Sequence, residues 1–211
     1  NLTLEAHRLV IDRPSDHVEL FGNEQDRARV IRPDGSLSAE HIVMAQTSGE
    51  VQAIGPGRIE LVLDLDNSSK KNRTLRQNRP EQLAVSWRNA MHYNHGAGTA
   101  QFLGQVRTTT ESATDKTTLV CRDLGLVLEV PNGGSSAGGQ ASEQEAPNDP
   151  TGRPQRIKSA TARDDVVFTA ESFADHDREQ PLTRFRIEGP HMTFDRRSEQ
   201  LQVHGEGRML F

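Results

Sequence analysis

The sequence contains a single cysteine, Cys121, and few aromatic residues, which make up 4% of its 211 residues. One cysteine cannot form an internal disulfide, and it leaves no cysteine pair to indicate a zinc site. The sequence also lacks any run of about 18 apolar residues, the length that a helix needs to cross a bilayer. These absences exclude a disulfide-stabilised fold and predict no transmembrane segment in the printed residues.

A strongly basic character is absent as well, since the formal net charge is -5 at pH 7. A nucleic-acid-binding protein needs a basic face to neutralise phosphates, so no nucleic acid is expected as a partner. Apolar residues make up 33% of the chain, against 26% that are charged. This proportion is low for a thick globular core and is typical of a thin sheet with one buried face.

Four glycines mark an internal repeat. Before each glycine stand two pairs of apolar residues, one pair 13 and 11 positions earlier and the other four and two positions earlier. Polar turn residues separate the two pairs. The glycines are Gly22, Gly55, Gly104 and Gly205. The apolar residues of the four units are Leu9, Ile11, Val18 and Leu20; Ile42, Met44, Val51 and Ala53; Met91, Tyr93, Ala100 and Phe102; and Met192, Phe194, Leu201 and Val203.

This unit is predicted to be a strand, a polar turn and a second strand, because apolar residues two apart point to one face of a strand. A third strand is predicted after the glycine at residues 57–61 and 207–211, continuing into the next layer. The glycine suits a corner between layers, since it takes positive φ or lets a neighbouring backbone approach closely. Ala6 and Ala39 break the alternation before the first strand and predict a bulge there. No stretch has the spacing of a capped amphipathic helix, so an all-β fold is expected.

Two degenerate further units are predicted at residues 119–128 and 167–189. Two long polar segments interrupt the repeats, at about residues 67–79 and 131–154, and the second is rich in Gly, Ser, Gln and Pro. Because the repeat resumes after each, both are interpreted as insertions in a single domain of residues 1–211. Strand-like patterns at both ends predict that the chain is a fragment of a longer protein.

The histidines and acidic residues do not form a recognisable chemical site in the sequence. His92 alternates with apolar neighbours and is expected on the opposite strand face from them, whereas His95 is expected in a turn. Asp164 and Asp165 are expected in a polar connection, for which solvated charge is the preferred interpretation. No nucleophile elbow or phosphate-binding loop is present. We therefore expect no enzymatic activity, no metal and no cofactor.

The repeat is most complete in residues 83–106 and 185–205, where an apolar pair, a polar turn, a second apolar pair and a glycine follow one another. In this pattern the sequence resembles the OstA-like family, the LptA- and LptC-type proteins of lipopolysaccharide transport. The resemblance implies a twisted, partly open β-jellyroll with two antiparallel sheets folded like a V. It also implies an apolar interior that accepts acyl chains, end-to-end stacking through edge strands, and a periplasmic or cell-envelope location in a Gram-negative-type bacterium.

The first functional hypothesis is a non-catalytic module that binds or bridges lipid by burying acyl chains between the sheets. Its expected partners are lipopolysaccharide or another envelope lipid, and further copies of the chain or related β-jellyroll proteins joined edge to edge. The residues expected to line the lipid groove are Leu9, Ile11, Val18, Leu20, Ile42, Met44, Val51, Met91, Tyr93, Phe102, Met192, Phe194, Leu201 and Val203.

The same apolar residues are compatible with a closed core in a structural or adhesive β-solenoid segment of a larger surface protein. Unequal glycine spacings, 33 residues between Gly22 and Gly55 but 49 between Gly55 and Gly104, disfavour regular coils. A carbohydrate-binding β-sandwich is a third interpretation, although one Trp and one Tyr offer few aromatic platforms. The sequence leaves open whether Phe102 lines a groove or a close-packed core.

Overall fold

The computed structural model describes residues 2–211 except 15, 24, 34, 64–80, 113, 130–156 and 175–179. The regular elements of this part of the chain are fourteen β-strands, and the all-β prediction is confirmed there. The strands are β1 (Thr3–Glu5), β2 (Arg8–Asp12), β3 (His17–Phe21), β4 (Ala28–Arg32), β5 (Gly35–Ala45), β6 (Glu50–Leu63), β7 (Glu81–Trp87), β8 (Ala90–Asn94), β9 (Thr99–Glu111), β10 (Asp115–Leu128), β11 (Ile157–Ser172), β12 (Thr183–Asp195), β13 (Gln200–His204) and β14 (Arg208–Leu210). None of the described residues forms a helix that is long and apolar enough to cross a membrane.

All fourteen strands belong to one hydrogen-bonded antiparallel sheet. Its main path runs β1-β4-β5-β6-β7-β9-β10-β11-β12-β13. The shorter strands lie beside this path, since β2 pairs with β3, β3 with β5, β8 with β6 and β9, and β14 with β12. Most neighbours in the sheet are also neighbours in sequence, which is the meander expected from repeated strand-turn-strand units.

A line of irregular positions crosses the whole sheet, and we call it the seam. Register shifts interrupt the ladders between Ala39 and His41, between Cys121 and Asp123, and between Arg163 and Val166. The positions on the seam are Gly22, Glu40, Gly55, Pro56, Arg88, Asn89, Gly104, Gln105, Arg122, Asp164, Asp165, Pro190 and Gly205. The shift that follows Ala39 is the bulge that the sequence predicted before the first strand of that unit.

The repeat glycines lie on this seam. Gly55, Gly104 and Gly205 have φ values of 81°, 80° and 90°, a region that other residues rarely adopt. At Gly22 a neighbouring backbone approaches closely, because an added Cβ there would lie 2.7 Å from the backbone nitrogen of Ala28. The prediction that these glycines allow the chain to turn a corner between layers is confirmed.

The seam divides the sheet into two layers of ten strand segments each. Layer A comprises residues 8–12, 17–21, 41–45, 50–54, 90–94, 99–103, 123–128, 157–163, 191–195 and 200–204. Layer B comprises residues 3–5, 28–32, 35–39, 57–63, 81–87, 106–111, 115–121, 166–172, 183–189 and 208–210. The two predicted sheets are therefore continuous, because the long strands β5, β6, β9, β10, β11 and β12 cross the seam. The predicted third strands at 57–61 and 207–211 also lie in layer B, as continuations into the next layer.

One hydrophobic core joins the two layers, since buried residues of both belong to a single cluster. Trp87 of layer B and Phe102 of layer A contact each other with ring centroids 5.5 Å apart. Trp87 lies directly over Gly57, where an added Cβ would be 2.3 Å from the indole ring. Its Nε1 donates a hydrogen bond to the carbonyl of Gly55 at 3.1 Å, so the indole is fixed at the seam.

The predicted insertions at residues 67–79 and 131–154 lie outside the described residues. The strands on either side of each insertion pair directly with one another, β6 with β7 and β10 with β11. Both segments therefore connect adjacent strands of the same sheet. The ends of these strands lie away from the seam, at the rim of layer B for the first segment and of layer A for the second.

Candidate functional site

The face of layer A that points toward layer B carries two apolar rows, each crossing all ten strand segments. The deep row, next to the seam, is Leu9, Leu20, Ile42, Ala53, Met91, Phe102, Leu124, Ala162, Met192 and Val203. The rim row, farther from the seam, is Ile11, Val18, Met44, Val51, Tyr93, Ala100, Leu126, Ala160, Phe194 and Leu201. Both rows place cross-strand neighbours side by side, the arrangement that gives a sheet a continuous apolar face.

The structure brings all fourteen predicted groove residues into these two rows. It adds six residues that the predicted set left out, namely Ala53, Ala100, Leu124, Leu126, Ala160 and Ala162. Four of the six are alanines, which fill the rows between larger neighbours. The alternation of Leu124 with Leu126 was visible in the sequence as a degenerate unit, whereas the alanines of β11 carry no distinct apolar signal.

Burial decreases from the seam to the rim. In the deep row Leu20 and Ile42 are fully buried and Phe102 is 3% exposed, so this row is close-packed core. In the rim row Val18 and Ala100 are buried as well, at 5% exposed each, whereas Met44, Val51, Tyr93 and Leu126 are only partly buried. Some rim-row residues in the middle of the sheet are therefore within reach of water. We call the region bounded by the rim row of layer A and the inner face of layer B the cleft.

Burial also decreases toward both edges of the sheet. In β2 the row members Leu9 and Ile11 are 49% and 60% exposed. At the other edge Leu201 of β13 is 38% exposed and Met209 of β14 is 56% exposed. The apolar rows thus continue to the edge strands, where nothing in the described chain covers them.

Layer B presents its own apolar row to the cleft, which the predicted groove set did not include. This row is Leu4, Val30, Leu37, Ile59, Val85, Thr108, Leu119, Phe168, Ile187 and Met209. Four of its members, Val30, Ile59, Thr108 and Met209, lie on the strand segments that directly follow the repeat glycines. The sequence predicted such segments at residues 57–61 and 207–211, but the apolar residues in them are not aligned across the four units.

The two candidate histidines lie where the sequence predicted them, His92 on the opposite strand face from its apolar neighbours and His95 in a turn. His92 pairs with Gln52 and Gln101 and is exposed on the outward face of layer A. His95 is in the turn after β8, where its Nδ1 is 3.1 Å from the Tyr93 hydroxyl. Among the described residues, no three His, Cys, Asp or Glu side chains are grouped to hold a metal ion.

The thiol of Cys121 is buried in the core next to Val106. Burial raises its pKa to about 12, and the nearby carboxylate of Asp123 acts in the same direction. Because the thiolate is the nucleophilic form, this cysteine is chemically inert at neutral pH. It serves as a small apolar residue of the core.

Two surface hollows lie outside the cleft. The smaller, of about 180 Å³, is on the outward face of layer B and is lined by polar side chains that include Arg58, Ser86 and Arg107. The larger, of about 780 Å³, is open and follows the seam beside Asp164 and Pro190. Charged side chains line both hollows, Arg107 and Glu111 in the smaller one and Arg122 and Asp164 in the larger one.

No protein-family model matches the sequence, and no curated protein matches it. Among solved structures, the chain is similar to the crystal structure of LptH, described as the LptA homologous periplasmic component of the conserved lipopolysaccharide transport device from Pseudomonas aeruginosa. The two chains share 14% sequence identity with a TM-score of 0.45. The similarity covers 74% of this chain and 92% of the LptH chain.

Proposed function

We propose that the chain is a non-catalytic lipid-binding module, in which acyl chains lie in the cleft between the two layers. The observation that carries this proposal is the rim row, which is apolar in all ten positions and only partly buried at Met44, Val51, Tyr93 and Phe194. An apolar surface of this length, open to water on one side, fits a flexible hydrocarbon ligand. The deep row beneath it is the fixed floor of the site.

Hydrocarbon burial alone provides the affinity for such a ligand. Each CH₂ group removed from water contributes about 0.8 kcal/mol, so twelve methylenes contribute roughly 10 kcal/mol before the costs of association. No charged contact inside the cleft is needed. A titration of the purified chain with a fluorescent fatty-acyl probe tests the proposal, with saturable binding expected and absence of binding contradicting it.

The setting that we propose is lipopolysaccharide transport, with lipopolysaccharide or a related envelope lipid as ligand and a periplasmic or cell-envelope location. The sequence resemblance to the OstA-like family, in residues 83–106 and 185–205, supports this setting. We further propose that residues 1–211 act as one domain, because both layers and one core cluster extend from the first strands to the last.

We also propose that modules join edge to edge, so that the rows of one cleft continue into the next. Apolar row residues are exposed at both edges of the sheet. Leu9 and Ile11 on β2 are exposed at one edge, and Leu201 on β13 and Met209 on β14 at the other. An edge strand also presents unpaired backbone groups that favour addition of another strand. A second copy or a related β-jellyroll protein would cover both features at once.

Substituting Leu9 and Ile11 together by Ser is expected to weaken self-association about tenfold, because it removes the apolar surface that an added module would cover. The measurement is sedimentation equilibrium of wild type and variant over a range of concentrations. Val10→Ser is the matched control, since Val10 is 39% exposed but lies on the opposite face of β2. Association that is equal in all three proteins, or absent from wild type, would contradict edge-to-edge joining.

The close packing of the deep row also favours one alternative, a structural segment with a closed core. In such a segment the rim row is close-packed core as well. Modules that join edge to edge then form a polymer without any ligand. The same fatty-acyl titration separates the two functions, because a closed core has no space for the probe.

A further inference from the structure

The smaller of the two hollows lies on the outward face of layer B, opposite the cleft. Its floor is Ala84 and Ser86 of β7, whose short side chains point outward because Val85 between them points into the cleft. The strands on either side place longer side chains beside this floor, Arg58 from β6 and Arg107 from β9. One water molecule takes about 30 Å³ of liquid volume, so a hollow of about 180 Å³ has room for a small ligand.

The end of this hollow nearest the seam is basic. Ser86 pairs with Arg58 on one side and with Arg107 on the other. Neighbouring strands lie about 4.8 Å apart, so the Cα atoms of the two arginines are roughly 10 Å apart, with the serine between them. At this separation the two long side chains reach a single anion that lies above Ser86.

The positive charge at this end is only partly neutralised. Arg58 forms an ion pair with Glu60 through its Nε, at 2.7 Å. Arg107 forms no ion pair with any residue that the structure describes. Guanidinium groups bind oxyanions through a planar fork of N–H donors. A phosphate group offers three acceptor oxygens, so two guanidinium groups bind it at once.

The other end of the hollow carries groups that pair with hydroxyls. Gln82, Thr109 and Glu111 line it, and their amide, hydroxyl and carboxylate groups supply both donors and acceptors. Glu111 is four residues from Arg107 along β9, a distance of about 13 Å. Its negative charge disfavours a second anionic group at this end. The hollow therefore fits a ligand with one anionic end and one hydroxylated end better than it fits a polyanion.

We propose that this hollow is a binding site for a phosphorylated sugar. The phosphate lies between Arg58 and Arg107, and the sugar hydroxyls lie toward Gln82 and Glu111. The Ser86 hydroxyl donates to the Arg107 carbonyl at 3.4 Å, a long hydrogen bond that is readily exchanged for one to the phosphate. Because the hollow and the cleft are on opposite faces of layer B, this inference does not depend on the proposed binding of acyl chains.

The test titrates the ¹⁵N-labelled chain with glucose 6-phosphate, inorganic phosphate and glucose, followed by two-dimensional NMR. Glucose 6-phosphate is expected to shift the amide signals of Ser86 and Arg107 in a saturable way. Inorganic phosphate is expected to bind about tenfold more weakly, because it does not reach the hydrogen-bonding groups at the other end of the hollow. Glucose alone is expected not to bind, because it lacks the group that the arginines hold.

Two arginine variants assign the phosphate to the basic end. Arg107→Gln is expected to weaken glucose 6-phosphate binding at least tenfold, since it removes one of the two guanidinium groups. Arg29→Gln is the matched control. Arg29 lies in the same outward row, two strands from Arg58, and does not line the hollow. At an ionic strength of about 0.1 M, charges more than about 10 Å apart are largely screened, so less than a twofold effect is expected for the control.

Gln82→Ala assigns the sugar to the other end. It is expected to weaken glucose 6-phosphate binding severalfold and to leave inorganic phosphate binding unchanged. Unchanged midpoints of denaturant unfolding show that all three variants are folded, as expected for substitutions of exposed side chains.

The outcomes also separate this inference from acyl-chain binding. Failure of wild type to bind glucose 6-phosphate, or equal affinities of Arg107→Gln and wild type, would contradict a phosphate site in the hollow. Equal binding of glucose 6-phosphate and inorganic phosphate would contradict a sugar phosphate as its ligand. Arg107→Gln is expected to bind the fatty-acyl probe as wild type does, because Arg107 is on the face of layer B that points away from the cleft.

Discussion

Phe102→Ala is expected to lower the free energy of unfolding by about 3–5 kcal/mol. Phe102 is 3% exposed, and its ring lies 5.5 Å from that of Trp87 across the seam. Removing it leaves a cavity where the two layers meet, and the strands around it belong to a continuous sheet that cannot collapse freely. Denaturant unfolding of wild type and variant, with the slope compared as well as the midpoint, measures the loss.

Phe194→Ala is the matched control for this experiment. Phe194 belongs to the rim row and is only partly buried, so the same chemical change removes less buried surface. We expect its stability loss to be less than about half that of Phe102→Ala. Equal losses at the two positions would contradict the distinction between a packed deep row and an open rim row.

Val51→Glu is expected to reduce acyl-chain binding by about a hundredfold or more. Val51 lies in the middle of the rim row between Met44 and Tyr93, so a carboxylate there stands in the path of the hydrocarbon. Burying a charge without a partner costs several kcal/mol, whereas in the free protein the carboxylate remains in contact with water. The measurement is the dissociation constant for the fluorescent fatty-acyl probe.

The control for Val51→Glu is Gln52→Glu, one residue away on the same strand. Gln52 is exposed on the outward face of layer A, so the new charge does not enter the cleft. Its dissociation constant for the probe is expected to equal that of wild type. An effect of similar size in both variants would show that charge alone, rather than its position in the cleft, weakens binding.

The sequence predicts one face of layer A well because the relevant signals are local. Period-two spacing places Met91 with Tyr93 on one face, and a glycine at a fixed distance marks the corner at which the strand leaves that layer. Alignment of four units then predicts which residues become cross-strand neighbours. All fourteen groove residues predicted in this way lie in the two rows of layer A, although their role in binding lipid stays a prediction.

Four of the six row members left out of the predicted groove set are alanines. Ala53 and Ala100 occupy aligned positions of the repeat, whereas Ala160 and Ala162 of β11 carry no distinct apolar signal. Ala53 lies between Ile42 and Met91, so a small residue there leaves room for larger neighbours. Leu124 and Leu126 were left out because their unit is degenerate and does not align with the four complete ones.

The openness of the cleft depends on contacts between residues distant in sequence. Whether Phe102 faces hydrocarbon or packed core follows from Trp87 in the other layer, and spacing within one strand contains no information about it.

Asp164 and Asp165 show a different limit of sequence-based prediction. Their expected place in a polar connection is wrong, because both lie within β11, although both side chains are exposed as predicted. The structure adds a role in the seam, since both have left-handed φ values of 58° and 54° in the bulge of β11. Aspartate tolerates this conformation better than most residues, so a bend forms here without a glycine.

The most direct test of acyl-chain binding in the cleft is native mass spectrometry of the chain purified from a lipopolysaccharide-producing host. We expect a population of the protein to carry a bound lipid, and we expect Val51→Glu to lose that population while Gln52→Glu keeps it. Wild type that appears only at its own mass of 23.4 kDa and binds no fatty-acyl probe in solution would contradict acyl-chain binding in the cleft.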